Sequence, residues 1–302
     1  GGFVAARLAQ AGHPVSALAR GATLAAVREH GLRLRSDGRE HAVRLSVSDD
    51  PATLAGADLV VLAVKTTALP AVARAIGPML GPDTAVLSAM NGVPWWFFHG
   101  LDARWRDTRL VATDPDGALL RAIPASRVVG CVVHMAAACP QPGVVEHVFG
   151  QRFIIGEPGG QPSERLSRIV SAFADAGLQV EIEPRIELAI WQKLWGNMTM
   201  NPLSAFTGAT MDRILDDPLV YRFICEAMTE AAAVGERFGL PITMTPDERN
   251  KITRTLGAFK TSMLQDVEAR RPIELDALLG SVSEMAALAG VAAPNIDALL
   301  GL

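Results

Sequence analysis

Residues 1–20 read GGFVAARLAQAGHPVSALAR, and the fold turns on how that stretch is parsed. FVAARLAQA (3–11) puts Ala and Leu on one helical face, and Gly12 supplies a C-terminal stop. Val15–Ala19 is a short apolar strand that ends at Arg20. A glycine pair opening a helix that leads into a strand is the back half of a dinucleotide-binding βαβ unit. On this reading Gly1 is the third glycine of a G-x-G-x-x-G fingerprint, Gly2 follows it, and both face the cofactor. The first strand and the earlier glycines are then missing, so the sequence is expected to be a fragment that starts inside its phosphate loop. Half a motif is a weak signal alone, so the rest of the chain has to agree with it.

The neighbouring stretches agree. LVVLAV (59–64) is a continuous apolar run of the kind found in buried parallel strands, with Lys65 at its C-terminal end. A helix is expected over 68–80, a strand over 84–88, and then Asn91-Gly92. C-terminal strand ends line the ligand crevice of open α/β sheets, which puts Lys65 and Asn91 where a cofactor lies. Taken singly, Lys65 also reads as a solvated loop lysine and Asn91 as a turn former. Val/Ile-rich runs over 127–156, broken at Pro142-Gly143 and Gly150, predict antiparallel strands. A helix over 163–177 and a strand over 179–182 complete a domain spanning 1–183, with the boundary at Pro184. From 184 to 302 the pattern is helical: 186–209, 217–238, 246–269, 273–289 and a short helix from 294. Asp217-Pro218 and the capping box Thr245-Pro246-Asp247-Glu248 mark two starts, and Gly239 and Gly290 mark two stops. The fold class is therefore α/β, a Rossmann-type dinucleotide-binding domain followed by an all-helical domain.

Composition removes several function classes. Hydrophobic residues make up 49% of the 302 and charged residues 20%, enough for a sizeable core. Net charge is −4 and no Lys/Arg block occurs, which argues against nucleic acid or an anionic membrane as partner. The aromatic run Trp95-Trp96-Phe97-Phe98 is far too short to span a bilayer and belongs inside the protein or along a pocket. Three cysteines cannot build a disulfide framework and fit a reducing cytoplasm. Cys131, His134, Cys139 and His147 match no common zinc spacing, so no metal is expected. Oligomeric state is left open, a homodimer being one option.

One helix carries the chemistry. Within KLWGNMTMNPLSAFTG (193–208), Lys193, Asn197 and Asn201 are spaced i, i+4, i+8 and stack on one face. Trp191, Leu194, Trp195 and Met198 surround the lysine with apolar groups, and Pro202 is expected to bend the helix just after Asn201. Two readings fit: a snorkelling lysine with structural amides, or a proton donor with two substrate-orienting amides. For the cofactor, NAD enzymes place an acid at the end of the second strand. Here that position reads Leu18-Ala19-Arg20-Gly21. An arginine suits a 2′-phosphate, and Lys65 adds a second positive charge, so NADP(H) is expected.

These pieces resemble the 2-dehydropantoate 2-reductase, or ketopantoate reductase, family over nearly the whole chain. The N-terminal match is GG with LAQAGH and LARG, then Val64-Lys65 and Asn91-Gly92; the more specific ones are KLWGNMTMNPLSAFTG and SMLQDVEARRPIELD (262–276). The resemblance implies a Rossmann domain joined to a helical domain with the active site in the cleft. It implies hydride transfer from NADPH to the 2-oxo carbon of ketopantoate, giving pantoate for coenzyme A synthesis. Residue by residue it implies Lys193 as general acid, Asn197, Asn201 and Ser262 on substrate, and Glu274 at the cofactor–substrate junction as a second catalytic group. Asn91 would lie near the nicotinamide, and Arg20 and Lys65 on the 2′-phosphate. The chain departs from the family pattern at Met211-Asp212, where Asn-Gly is common, and over a longer, more aromatic 94–127. Reduction of another branched 2-oxo acid and non-catalytic NADP(H) sensing are the competing functions.

Overall fold

A computed structural model describes residues 1–302, which divide into two compact units. The first comprises Gly1–Val64, Pro70–Met90 and Arg121–Ile186; the second comprises Lys65–Leu69, Asn91–Leu120 and Glu187–Leu302.

The first unit is α/β. Helix α1 (Gly2–Gln10) leads to β1 (Ser16–Leu18), and α2 (Gly21–His30) leads to β2 (Leu32–Ser36), β3 (Arg39–Val43) and β4 (Ser46–Ser48). There follow β5 (Leu59–Leu62), α3 (Leu69–Ala75), β6 (Ala85–Ala89), the short α4 (Ala118–Ala122), whose residues up to Leu120 belong to the second unit, β7 (Val128–Gln141), β8 (Val144–Gly156), α5 (Glu164–Asp175) and β9 (Gln179–Ile182). Seven strands form one mixed sheet in the order β3-β2-β8-β7-β6-β5, with β9 on β8; β1 and β4 pair separately, in parallel. β5 runs parallel to β6, as the apolar run at 59–64 predicts; β7 also runs parallel to β6, and β7–β8 is the expected antiparallel pair. That pair is one long hairpin turning at Pro142-Gly143, where Gly143 has φ +72°. Phe3, Val4 and Ala6 of α1 and Phe173 of α5 pack into the core with Leu34, Leu87, Val129, Phe153 and Ile155. Helix α5 buries Leu166, Ile169 and Phe173, a spacing that keeps one face inward, and Ser163 caps its start by accepting from Leu166 N–H.

The second unit is helical: α6 (Ile186–Thr207), α7 (Met211–Asp216), α8 (Pro218–Arg237), α9 (Pro246–Arg254), α10 (Ser262–Glu268), α11 (Ser281–Ala289) and α12 (Pro294–Gly301). Helix α6 is anchored on α8 at two points. Trp195 Nε1 donates to the Met228 carbonyl of α8 at 2.6 Å, and Trp191 closes on α8 where Gly235 leaves room. The aromatic run 95–98 is buried, and Phe98 meets Phe238 edge-on at 5.3 Å. No helix is long and apolar enough to cross a membrane.

Three expectations change. The helix expected over 246–269 is two helices, because Gly257 takes φ +61° and Thr261 caps a new start. The one expected over 273–289 opens with a π-helical turn, Asp276–Gly280, before α11. Pro202 lies inside α6, which runs on to Thr207, close to the expected end. Finally, Lys65–Leu69 and Asn91–Leu120 group with the helices and not with residues 1–183. Glu284 of α11 explains part of this, since its carboxylate accepts from the Val111 and Ala112 N–H groups.

Candidate active site

The lysine of the α6 stripe is bonded. Lys193 Nζ donates to Asn91 Oδ1 at 2.8 Å. Asn91 is held there by its neighbour. Gly92 has φ +80°, and a Cβ at that position would lie 2.4 Å from the Ala277 carbonyl oxygen. The next residue, Val93, donates its N–H to that same carbonyl at 2.9 Å. The Asn-Gly turn is thus docked on the π-helical turn, and only glycine permits the approach. Asn197 and Asn201 continue the stripe beside Lys193; Asn201 is buried, and neither amide has a hydrogen-bond partner within the chain.

Three residues before Ala277 stands Glu274, buried, with two partners. Its Oε1 accepts from the Thr66 N–H at 2.9 Å and its Oε2 from Lys65 Nζ at 3.2 Å. The same ammonium donates to Asp266 Oδ2 at 2.7 Å, and Asp266 Oδ1 accepts from Arg271 Nε at 3.1 Å. Two cations therefore balance two buried carboxylates. Burial lowers the Lys65 pKa, but hydrogen bonds and charge from Asp266 and Glu274 outweigh it and leave the pKa above the ordinary lysine value.

The sequence-predicted residues thus fall into separate groups. Lys193 meets Asn91, while Glu274 meets Lys65 and not Lys193. Lys65, expected on a 2′-phosphate, has its ammonium committed to two carboxylates. Ser262 is the exposed first residue of α10, capped by Thr261. Asp266, Thr66 and Arg271 were not foreseen. Asp266 lies in a charge-rich stretch, DVEARRPIELD, that reads as a solvated face, yet it is 3% exposed. Its one sequence cue is the position four after Ser262, on the same helical face.

In the first unit, α1 starts at Gly2 with no side-chain cap, which leaves first-turn N–H groups for a phosphate. A Cβ at Gly2 would lie 2.6 Å from Val145 Cγ2, whereas at Gly1 the nearest atom is 3.6 Å away. The close helix–strand approach therefore belongs to Gly2. Arg20 is exposed at the start of α2, and its guanidinium makes no bond within the chain. An uncapped helix start, a tightly packed glycine and a free arginine at the next strand end fit a phosphorylated dinucleotide.

Comparison with known proteins identifies the family. The profile described as ketopantoate reductase PanE/ApbA matches residues 1–103, and the profile of its C-terminal part matches 185–302. The 2-dehydropantoate 2-reductase of Mesorhizobium japonicum is 43% identical over 100% of this chain and 93% of its own. That of Halobacterium salinarum is 29% identical over 92% and 86%. The solved structure of a candidate ketopantoate reductase from Ralstonia solanacearum is 51% identical, covers 99% of this chain and 92% of that one, and superposes with a TM-score of 0.95. An uncapped start of α1, a lysine–asparagine pair on a polar stripe and these matches along the full length lead to one assignment: the chain is an oxidoreductase and belongs to the ketopantoate reductase family.

Proposed function

We propose that this chain reduces the 2-oxo carbon of 2-dehydropantoate to the hydroxyl of pantoate, a step of pantothenate and coenzyme A biosynthesis, with NADPH as donor. A nicotinamide cofactor follows from the family; when bound it supplies the hydride. The observation that carries the reading is Lys193 on the α6 stripe, bonded to Asn91 beside two amides without partners in the chain. Negative charge develops on the ketone oxygen as it is reduced, and a lysine N–H there stabilises it and delivers the proton. Asn91 keeps the ammonium on a fixed vector. Asn197, Asn201 and the Ser262 hydroxyl answer the substrate's remaining polar atoms. Glu274 stands at the junction with the cofactor, braced by Lys65 and Thr66. Arg20 takes the 2′-phosphate, the basis for NADPH over NADH.

NADPH oxidation measured with ketopantoate beside a panel of other 2-oxo acids tests this. Turnover highest on ketopantoate is the expected result. Cofactor binding without turnover on any member would leave a sensor. A second reading rests on Met211, buried at the start of α7, where the resemblance noted in the sequence implies an amide. With one substrate hydroxyl contact missing, ketopantoate should be preferred only weakly over its deoxy analogue, 2-oxo-3,3-dimethylbutanoate. Met211→Asn should sharpen the ratio of kcat/KM; a deoxy analogue handled better by the wild type would favour another branched 2-oxo acid.

A further inference from the structure

The stripe on α6 holds one cation, Lys193, and the proposed function assigns it to the ketone oxygen. A 2-oxo acid also carries a carboxylate, and Asn197, Asn201 and Ser262 bring no charge to meet it. Arg249 of α9 does. Its guanidinium lies against Gly196 of α6: a Cβ built on Gly196 would be 2.3 Å from Nη2, 2.6 Å from Cζ and 2.6 Å from Nε. Gly196 is three residues after Lys193 and one before Asn197, so the guanidinium lies within about one helical turn of both.

That guanidinium is uncompensated. It makes one side-chain bond, Nη1 to Thr253 Oγ1 at 2.7 Å, and no carboxylate pairs with it. The two acids before it on α9 are spent elsewhere: Asp247 accepts from the Tyr221 hydroxyl, and Glu248 closes the capping box with Thr245. Burial alone acts on the Arg249 pKa, and acts downward. A half-buried cation without a counter-charge is costly, and its remaining N–H donors match a carboxylate fork. Gly196 supports the same point. It sits inside a helix, where glycine is a poor choice, and no positive φ requires it. Its missing side chain is what admits Arg249.

We propose that Arg249 binds the carboxylate of the substrate and selects anionic 2-oxo acids over neutral carbonyl compounds. This rests on the proposed reduction of a 2-oxo acid at the α6 stripe, and the test separates the two. Steady-state NADPH oxidation is measured with ketopantoate and with its uncharged amide, for wild type, Arg249→Gln, Arg249→Lys and Gly196→Ala. Arg249→Gln should raise KM for the acid roughly ten- to hundredfold, the loss of one charge-assisted fork, with kcat changed less and the amide's kcat/KM within about twofold. Arg249→Lys should recover part of the loss. Gly196→Ala, which only pushes the flexible end of Arg249 aside, should move the acid in the same direction by less and keeps the proposal testable if Arg249→Gln does not fold. Equal losses on acid and amide, or an unchanged KM for the acid, would overturn the assignment. If the wild type reduces no 2-oxo acid, the proposed function fails, and calorimetry decides the arginine. Pantoate bound more tightly than its amide by wild type but not by Arg249→Gln supports it; no difference in wild type ends it.

Discussion

Lys193 and Asp266 show what a single side chain decides. If Lys193 is the acid, Lys193→Ala should lower kcat by roughly 10²–10⁴ while the dissociation constant for NADPH stays put; near wild-type turnover would return Lys193 to a snorkelling role. Asp266→Asn acts differently, through Lys65. It removes one of two carboxylates that hold an ammonium beside Glu274. The acid is buried but Lys65 is 44% exposed and screened by water, so the expected loss of stability is about 1–3 kcal/mol, below that of a fully buried pair. The folded pKa of Lys65 is raised, so this contribution is complete below the unfolded lysine pKa and fades only as pH rises through the folded one. Urea midpoints of wild type and Asp266→Asn should therefore differ by the same amount at neutral and mildly acidic pH and draw closer in strong alkali, where the Arg271 bond to Asp266 remains; a difference that shrinks near neutrality would show that Lys65 is not the group responsible. Lys193, Asn197 and Asn201 were legible because one helical period stacks them. Asp266 and Arg249 were not, because each acts across a gap in sequence, toward Lys65 and Gly196, that no local pattern encodes.

Among the elements, the Asn-Gly turn at 91–92 is the most constrained. Gly92→Ala combines a left-handed backbone with a Cβ driven onto the Ala277 carbonyl, and should cost about 2–4 kcal/mol. Gly290, which ends α11 at φ +65° with nothing within 4 Å, isolates the conformational part. Gly290→Ala should cost only about 1–2 kcal/mol and leave kcat alone, while Gly92→Ala should also depress kcat by moving Asn91 from Lys193. Equal costs and equal activities in the two variants would mean that the Ala277 contact does not position Asn91. The same contrast explains what the sequence conveyed about elements. Apolar runs and caps located β5, β6, α5, α8 and the start of α9, since burial and end-capping are local. The break at Gly257 is not legible in the sequence, because one glycine in a helical pattern is often tolerated. The π turn at 276–280 has no local cue either, and its Ala277 carbonyl accepts from Val93, some 180 positions away.

At the scale of the whole molecule, cofactor preference appears as stability. A ligand that binds only the folded chain stabilises it by RT ln(1 + [L]/Kd), about 2.7 kcal/mol at a hundredfold excess over Kd. Arg20 is exposed at the end of β1 with no partner in the chain, and the position carries no acidic residue to hold a ribose 2′-OH. A 2′-phosphate gains a charge-assisted fork there, about 1.5–3 kcal/mol, or roughly ten- to hundredfold in Kd. The adenosine without that phosphate gains nothing from it. Thermal melting of wild type should thus rise by a few degrees more with NADPH than with NADH at equal concentration. In Arg20→Ala the NADPH increment should fall to roughly 1 kcal/mol, close to the NADH increment, which should itself be unchanged. A loss of both increments together would make Arg20 a structural residue of the α2 start. A wild-type protein stabilised equally by the two cofactors would remove the preference for NADPH, while the role proposed for Lys193 would stand on its own test.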